Sequence, residues 1–364
     1  MPGSSIGTFL RLHTFGESHG EAVGGIIDGF PAGFEPDFER LQHQVNRRKP
    51  GQSQITSPRM EDDRVEFLSG MFEGKTTGAP IAFMVKNKNA KPADYDHLKD
   101  VYRPSHADFT WQAKFGHRDY RGGGRSSARE TLSRVVAGAL TEQWLSIFGI
   151  SITAWVSSVG LIQMPLIKNV FSKKEIDANI VRCPHAETAD QMIAFIDQLR
   201  AEGDSIGGVV SATITGLPPG LGDPVFDKFH ADLGKAMLSI NAVKGFEYGS
   251  GFAGSAMKGS EHNDAFSSDT EGKVSTKSNH SGGVQGGITN GEDVFFRIAF
   301  KPVASIKKQQ ETVNVHGEAE LIQISGRHDP CVVPRAVPIV EAMAALVVAD
   351  HLLRSNTINT NHSG

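Results

Sequence analysis

The sequence predicts a mixed α/β fold, and three observations carry that prediction. Apolar, β-branched runs at 24–30, 150–156, 209–215 and 294–300 have the length and flanking residues of strands. Residues 132–148, 186–199 and 334–353 instead repeat apolar side chains at helical spacing. A content of 39% hydrophobic and 21% charged residues supplies a sizeable core under an ordinary polar surface. The 364-residue length allows two or three domains or one large α/β unit.

In chain order, residues 6–13 read as a strand entering Gly16-Glu17-Ser18-His19-Gly20, a sharp turn expected to expose its three polar side chains. The strand at 24–30 closes on Gly29-Phe30-Pro31-Ala32-Gly33. Asp37 is placed to cap a helix with Phe38, Leu41 and Val45 on one face. Arg47, Arg48 and Lys49 end that helix, where its dipole favours cations. Residues 51–59 read as a mobile loop, and 65–68 and 80–85 as strands. Between those strands, Gly70 to Thr76 imitates a P-loop, but one residue is missing ahead of Gly-Lys-Thr, so the phosphate cradle is not expected. Arg103-Pro104-Ser105-His106-Ala107-Asp108 then sets a histidine behind a stiffening proline.

The most informative stretch is Lys114 to Thr131. Gly122-Gly123-Gly124 lifts the steric limits on the backbone, and Ser127 with Glu130 has the spacing of a capping box for the helix at 132–148, which Gly149 would end. Unpaired N–H groups at that helix start favour an anion. Arg118, Arg121, Arg125, Arg129 and Arg134 nevertheless crowd it, and each cation there is unfavourable by about 0.3–1 kcal/mol. A bound polyanion reverses the sign. The stretch therefore reads as a phosphate site, with a solvated basic loop as its alternative.

Further on, Gly216-Leu217-Pro218-Pro219-Gly220 echoes residues 29–33 and hints at two related halves. A helix is expected over 226–240. Gly249 to Gly254 formally matches a dinucleotide fingerprint, but a polar stretch follows where an apolar helix is needed. Residues 258–291 form a Gly/Ser/Asn-rich segment, either functional or disordered. Arg327-His328-Asp329 packs three chemically able side chains together.

A net charge of −4 argues against a surface built for nucleic acid. Cys183 and Cys331 have no metal-ligand spacing, and no metal site is expected. No leader-like segment or membrane span is evident, which places the protein in the cytoplasm. The residues alone reach an α/β enzyme acting on an anionic metabolite, with arginines to bind it and histidines to move protons near pH 7.

Seven segments carry a further resemblance: GESHG (16–20), RPSHAD (103–108), RDYRGGGRSSARET (118–131), INAVKGFE (240–247), SGGVQGGI (281–288), KPVASI (301–306) and GRHDPC (326–331). In order and spacing they resemble the chorismate synthase family over nearly the whole chain. The resemblance implies an α/β sandwich of antiparallel sheets flanked by helices, as one catalytic domain over 1–355 with a disordered tail at 356–364. It implies 1,4-anti elimination of phosphate from 5-enolpyruvylshikimate 3-phosphate to give chorismate, with reduced FMN and no net redox change. A homotetramer is also implied.

Carried over by position, His19 and His106 match the family's active-site histidines, one protonating reduced flavin near N1 and the other assisting phosphate departure. Asp329 matches the carboxylate that helps take the proton through flavin N5. Arg125, Ser126, Ser127, Asn241, Ala242, Gly286, Lys301, Pro302, Val303, Ala304, Ser305 and Arg327 match FMN-contacting segments. Arg48 and Arg129 match basic residues near the substrate or the nicotinamide donor. Gln54 departs from a common arginine, and His117 from a common apolar residue, read as a local variation and not a third catalytic histidine. The long insertions of members that reduce their own flavin are missing, so a separate flavin reductase is expected, with NADPH as an indirect reductant. Two rivals remain at this stage: another FMN-dependent oxidoreductase acting on a phosphorylated or carboxylated metabolite, and an RNA binder using the basic segments.

Overall fold

The computed structural model describes residues 3–52, 55, 62–88, 92–166, 170–324 and 329–358. Its first sheet contains β1 (Ser5–Ile6), β2 (Arg11–Phe15) and β3 (Ala22–Asp28). After helix α1 (Phe38–Arg48) come β4 (Glu66–Phe67) and β5 (Ile81–Lys86). Helices α2 (Asp108–Phe115) and α3 (Thr131–Leu145) lead to the second sheet, which opens with β6 (Ser151–Val159) and β7 (Ile162–Gln163). Then follow α4 (Ala186–Glu202), β8 (Gly208–Thr215), α5 (Phe229–Leu238), β9 (Val243–Tyr248), β10 (Val294–Phe300) and α6 (Val333–Ile358). The sheet orders are β1-β2-β3-β5-β4 and β9-β10-β8-β6-β7, and every neighbouring pair is antiparallel.

Helices fill the space between the sheets. α3 backs β2 and β3, α6 backs β6 and β8, and the two helices pack on each other. The predicted antiparallel sandwich is borne out. α6 is long and apolar enough to cross a membrane, yet 94% of its most apolar window is buried here, so its composition is that of a core helix. The helices meet most closely at Gly138, where an added Cβ would lie 2.3 Å from both Cα and Cβ of Ala342. α6 also contains Pro338, which cannot donate to the carbonyl of Pro334. The Arg182 guanidinium donates to that carbonyl instead, at 2.5 Å.

The echo between 29–33 and 216–220 is structural. Gly33 N–H donates to Thr76 O and Phe34 N–H to Thr76 Oγ1, which itself donates to Pro31 O. In the second half, Gly220 N–H donates to Thr289 O and Leu221 N–H to Thr289 Oγ1, which donates to Pro218 O. Each half clasps its turn with one buried threonine from a short hairpin. The Gly70–Thr76 segment is thus a hairpin and not a phosphate cradle.

Other local expectations are corrected. The strand predicted over 6–13 is broken by a turn at Gly7, whose N–H groups at Thr8, Phe9 and Leu10 all donate to the Asp350 carboxylate. Residues 258–291 are ordered around the Asp264 carboxylate, which accepts from Ser278 Oγ and from the His280 and Ser281 amides. α6 runs to Ile358, into the segment expected to be a tail, and residues 359–364 lie outside the described residues. Most of the loop predicted at 51–59, including Gln54, also lies outside them.

Inserting a side chain at the helix crossing should be costly, because the opposing atoms belong to backbone. Gly138→Val is expected to lower stability by at least about 2 kcal/mol, read as a lower urea midpoint at unchanged slope. A midpoint equal to that of the parent protein contradicts the packing described.

Candidate active site

The first turns of α3 and α6, the GESHG turn, the 103–108 loop and residues 240–242 and 301–305 converge on one cavity of about 1150 Å³. A single small ligand usually takes roughly 300–1,000 Å³, so this space suits more than one. His19, His106 and Asp329 line it, as do Arg48, Arg125, Ser126, Ser127, Arg129, Asn241, Ala242 and Lys301, Pro302, Val303, Ala304 and Ser305. Gly286 does not; it turns the hairpin that holds Thr289. Arg327 lies outside the described residues.

The first glycine of the triplet is required by contact with His19. Gly122 has φ +62°, and a Cβ there would lie 2.2 Å from the His19 ring. The GESHG turn does not expose all three polar side chains as expected: Ser18 and His19 are buried, and only Glu17 faces solvent. Ser18 Oγ lies 2.9 Å from His19 Nδ1 and 3.2 Å from Gly122 O, and Tyr95 meets the His19 ring edge-on at 4.8 Å. His106 follows Ser105, held at φ +58°, and its Nε2 lies 2.8 Å from Ser305 Oγ. Residues almost two hundred apart in the chain thus share one side of the cavity.

The predicted capping box does not form. Ser127 caps a short turn at Ala128–Glu130 by accepting from Arg129 N, and α3 begins only afterwards. Glu130 instead accepts from Thr14 Oγ1 and Arg134 Nε, because a charged guanidinium outbids a backbone amide for a carboxylate. The arginine cluster is also more fully paired than expected. Arg121 pairs with Asp119, and Arg118 donates to the carbonyls of Leu98, Lys99 and Val101. Arg125 binds Gly16 O, Thr14 and Ser4, so its guanidinium fixes the first loop and β2.

Even so, the cavity holds excess positive charge. Among the described residues, eight arginines or lysines line it against four carboxylates, Glu17, Asp108, Asp119 and Asp329. Arg48 and Arg129 share one buried acid, Asp63, at 3.6 and 2.5 Å. Among the described residues, Arg48 Nη1, Arg129 Nη2 and Arg118 Nη1 are buried with no hydrogen-bond partner. Burial, then Arg335 and Arg129, push the Arg48 guanidinium down to about 9 against the attraction of Asp63. Asn241 Oδ1 is a buried acceptor without a hydrogen-bond partner among the described residues, while its Nδ2 donates to Ser126 O and ties two walls together. Such a wall suits bulky anions with phosphate or carboxylate oxygens. Among the lining residues that the sequence reading did not assign to a site are Arg103, held bidentate by Asp108, Tyr95, and Arg335, which pairs with Asp329. Arg335 was hidden because its neighbours read as an apolar helix. His117 lines the cavity as well.

The fold and cavity define the class: an antiparallel α/β sandwich enzyme that handles anionic metabolites beside two histidines. The family model for chorismate synthase matches residues 10–353. Proteins named chorismate synthase are 59% identical over 357 residues in Christiangramia forsetii (98% of this chain, 99% of the relative) and 58% identical over 355 residues in Cytophaga hutchinsonii (98% and 99%). A crystal structure of chorismate synthase superposes with TM-score 0.73 at 30% identity, covering 96% of this chain and 92% of that one. The chain belongs to the chorismate synthase family.

Two outcomes follow from the charges. Inorganic phosphate at 100 times its dissociation constant contributes about 2.7 kcal/mol to stability, so it should raise the melting temperature by several degrees, and Arg48→Met should remove most of that rise. Equal rises in both proteins contradict the site. Burial alone would raise the Asp108 carboxyl, but hydrogen bonds and charge from Arg103 outweigh it and hold the group below its ordinary 3.8. The stabilisation is therefore complete above that value and lost as pH falls through the lower folded one. Asp108→Asn should lose less stability than the parent between about pH 5 and pH 2, and parallel pH curves would contradict the pairing.

Proposed function

We propose that the chain eliminates phosphate from 5-enolpyruvylshikimate 3-phosphate to give chorismate, as a carbon–oxygen lyase of aromatic amino acid biosynthesis. Family membership supports the reaction, and one observation in the structure carries it: a cationic cavity wide enough for two phosphate-bearing molecules, with His19 and His106 on its wall. The segments 125–127, 241–242 and 301–305 fit reduced FMN, because they offer a buried acceptor at Asn241 and lie beside arginine N–H groups, both without a hydrogen-bond partner among the described residues. When bound, reduced FMN supplies transient electron density to the reacting substrate with no net redox change.

The protein's own contribution is electrostatic and protonic. Arg48 and Arg129, backed by Asp63, face developing negative charge with donors already oriented, so no reorganisation accompanies phosphate departure. His106, steadied by Ser305, holds a proton beside that charge. His19 is clamped between Ser18, Tyr95 and Gly122, which fixes the ring nitrogen presented to the cavity. Asp329, which lines the same cavity, is assigned the role of base. We assign the substrate-facing roles to Arg48 and Arg129 and the flavin-facing ones to 125–127, 241–242, 301–305 and Arg327. The unit is one catalytic domain, cytoplasmic and tetrameric. Its flavin is reduced elsewhere, with NADPH as the distant electron source.

Under anaerobic conditions with reduced FMN, chorismate and phosphate should appear in equal amounts while the flavin stays reduced. Stoichiometric flavin oxidation would instead favour an oxidoreductase. His106→Ala should lower turnover by about 10²-fold while FMN still binds, and near-normal turnover would refute that role.

A further inference from the structure

Arg335 stands in the first turn of α6, where a cation is disfavoured by about 0.3–1 kcal/mol. Two contacts hold it there. Its Nη1 pairs with the Asp329 carboxylate, and both side chains are largely buried. Its Nε donates at 3.0 Å to the carbonyl of Arg48, one of the last carbonyls of α1, which the helix itself leaves without a partner. One planar guanidinium therefore bridges two segments that are far apart in sequence and that each deliver a residue to the cavity.

We propose that Arg335 is a positioning residue that fixes Asp329 and the Arg48 end of α1 relative to each other, and that it acts on the reaction through Asp329. This rests on the functional reading above. A guanidinium suits the task because its fork is rigid: one edge fixes the carboxylate while another fixes the helix end. A lysine in the same place has a point charge on a flexible stem and reproduces the charge without the bridge. The bridge also ties the two halves of the chain together at the reacting end of the sandwich. Asp329 lies in the connection entering α6, and Arg48 lies where α1 ends.

The test is a double-mutant cycle with Arg335→Met and Asp329→Asn, run on protein whose parent form makes chorismate with reduced FMN. A parent that makes none overturns the functional reading and leaves the geometry to be judged by the structural readout below. Each single substitution should lower kcat at least about tenfold with the substrate KM moving less than about threefold, and the double variant should be no worse than the weaker single one. Arg335→Lys should recover part of the loss. Losses that multiply, or a loss carried by KM, would show that Arg335 serves the substrate directly and overturn the proposal. A structure of the Arg335→Met protein gives a readout without turnover: the Asp329 carboxylate should leave its position on the cavity wall. An unmoved carboxylate also overturns it. If the Met variant does not fold, Arg335→Lys takes its place in both measurements, with a smaller displacement expected.

Discussion

The close crossing of α3 and α6 is the constraint on which the rest depends. Each helix backs its own sheet, and Gly138 against Ala342 lets the two backbones touch. Separate them by one methyl group and the two sheets no longer close on a common core. The entries to both helices are also walls of the cavity, through Ser127, Ala128, Arg129 and Thr131 at one and Val332, Arg335, Ala336 and Ile339 at the other. The packing that makes the sandwich therefore also sets the width of the site.

Two adjacent arginines show how the charge is managed. Burial opposes the charge of both. At Arg47 it is outweighed by Glu341 and Asp177, which hold that guanidinium above its ordinary range. Arg182 shares Asp177, so a closed ionic network lies beneath the site and anchors α1 to α6. At Arg48, one residue later, Arg335 and Arg129 add to the burial penalty, and the group is pushed down to about 9. A buried pair that satisfies itself serves the frame. A buried cation short of partners serves an anionic ligand, which restores the missing charge when it arrives.

Much of this was legible in the sequence, for local reasons. The strands at 209–215 and 294–300 and the helices at 132–148 and 186–199 are strongly periodic, and Asp37 caps α1 as read. The glycine triplet was correctly singled out, yet its cause, the His19 ring pressed against Gly122, is a contact across a hundred residues that no local pattern carries. The capping box failed for the same kind of reason: Thr14 and Arg134 claimed the Glu130 carboxylate. The five-residue echo at 29–33 and 216–220 was too short to argue from, and its meaning came from Thr76 and Thr289, far along the chain. Family resemblance supplied the remaining step, from an arginine-rich cavity to a named reaction.

The central claim is that the cavity's unbalanced positive charge exists to hold a flavin phosphate and a substrate phosphate together. Titration calorimetry with 5-enolpyruvylshikimate 3-phosphate, with FMN present and absent, tests it most directly. The account predicts that each ligand tightens the other and that affinity falls steeply with added salt. Two ligands that bind independently, or a protein that takes up neither, would contradict it.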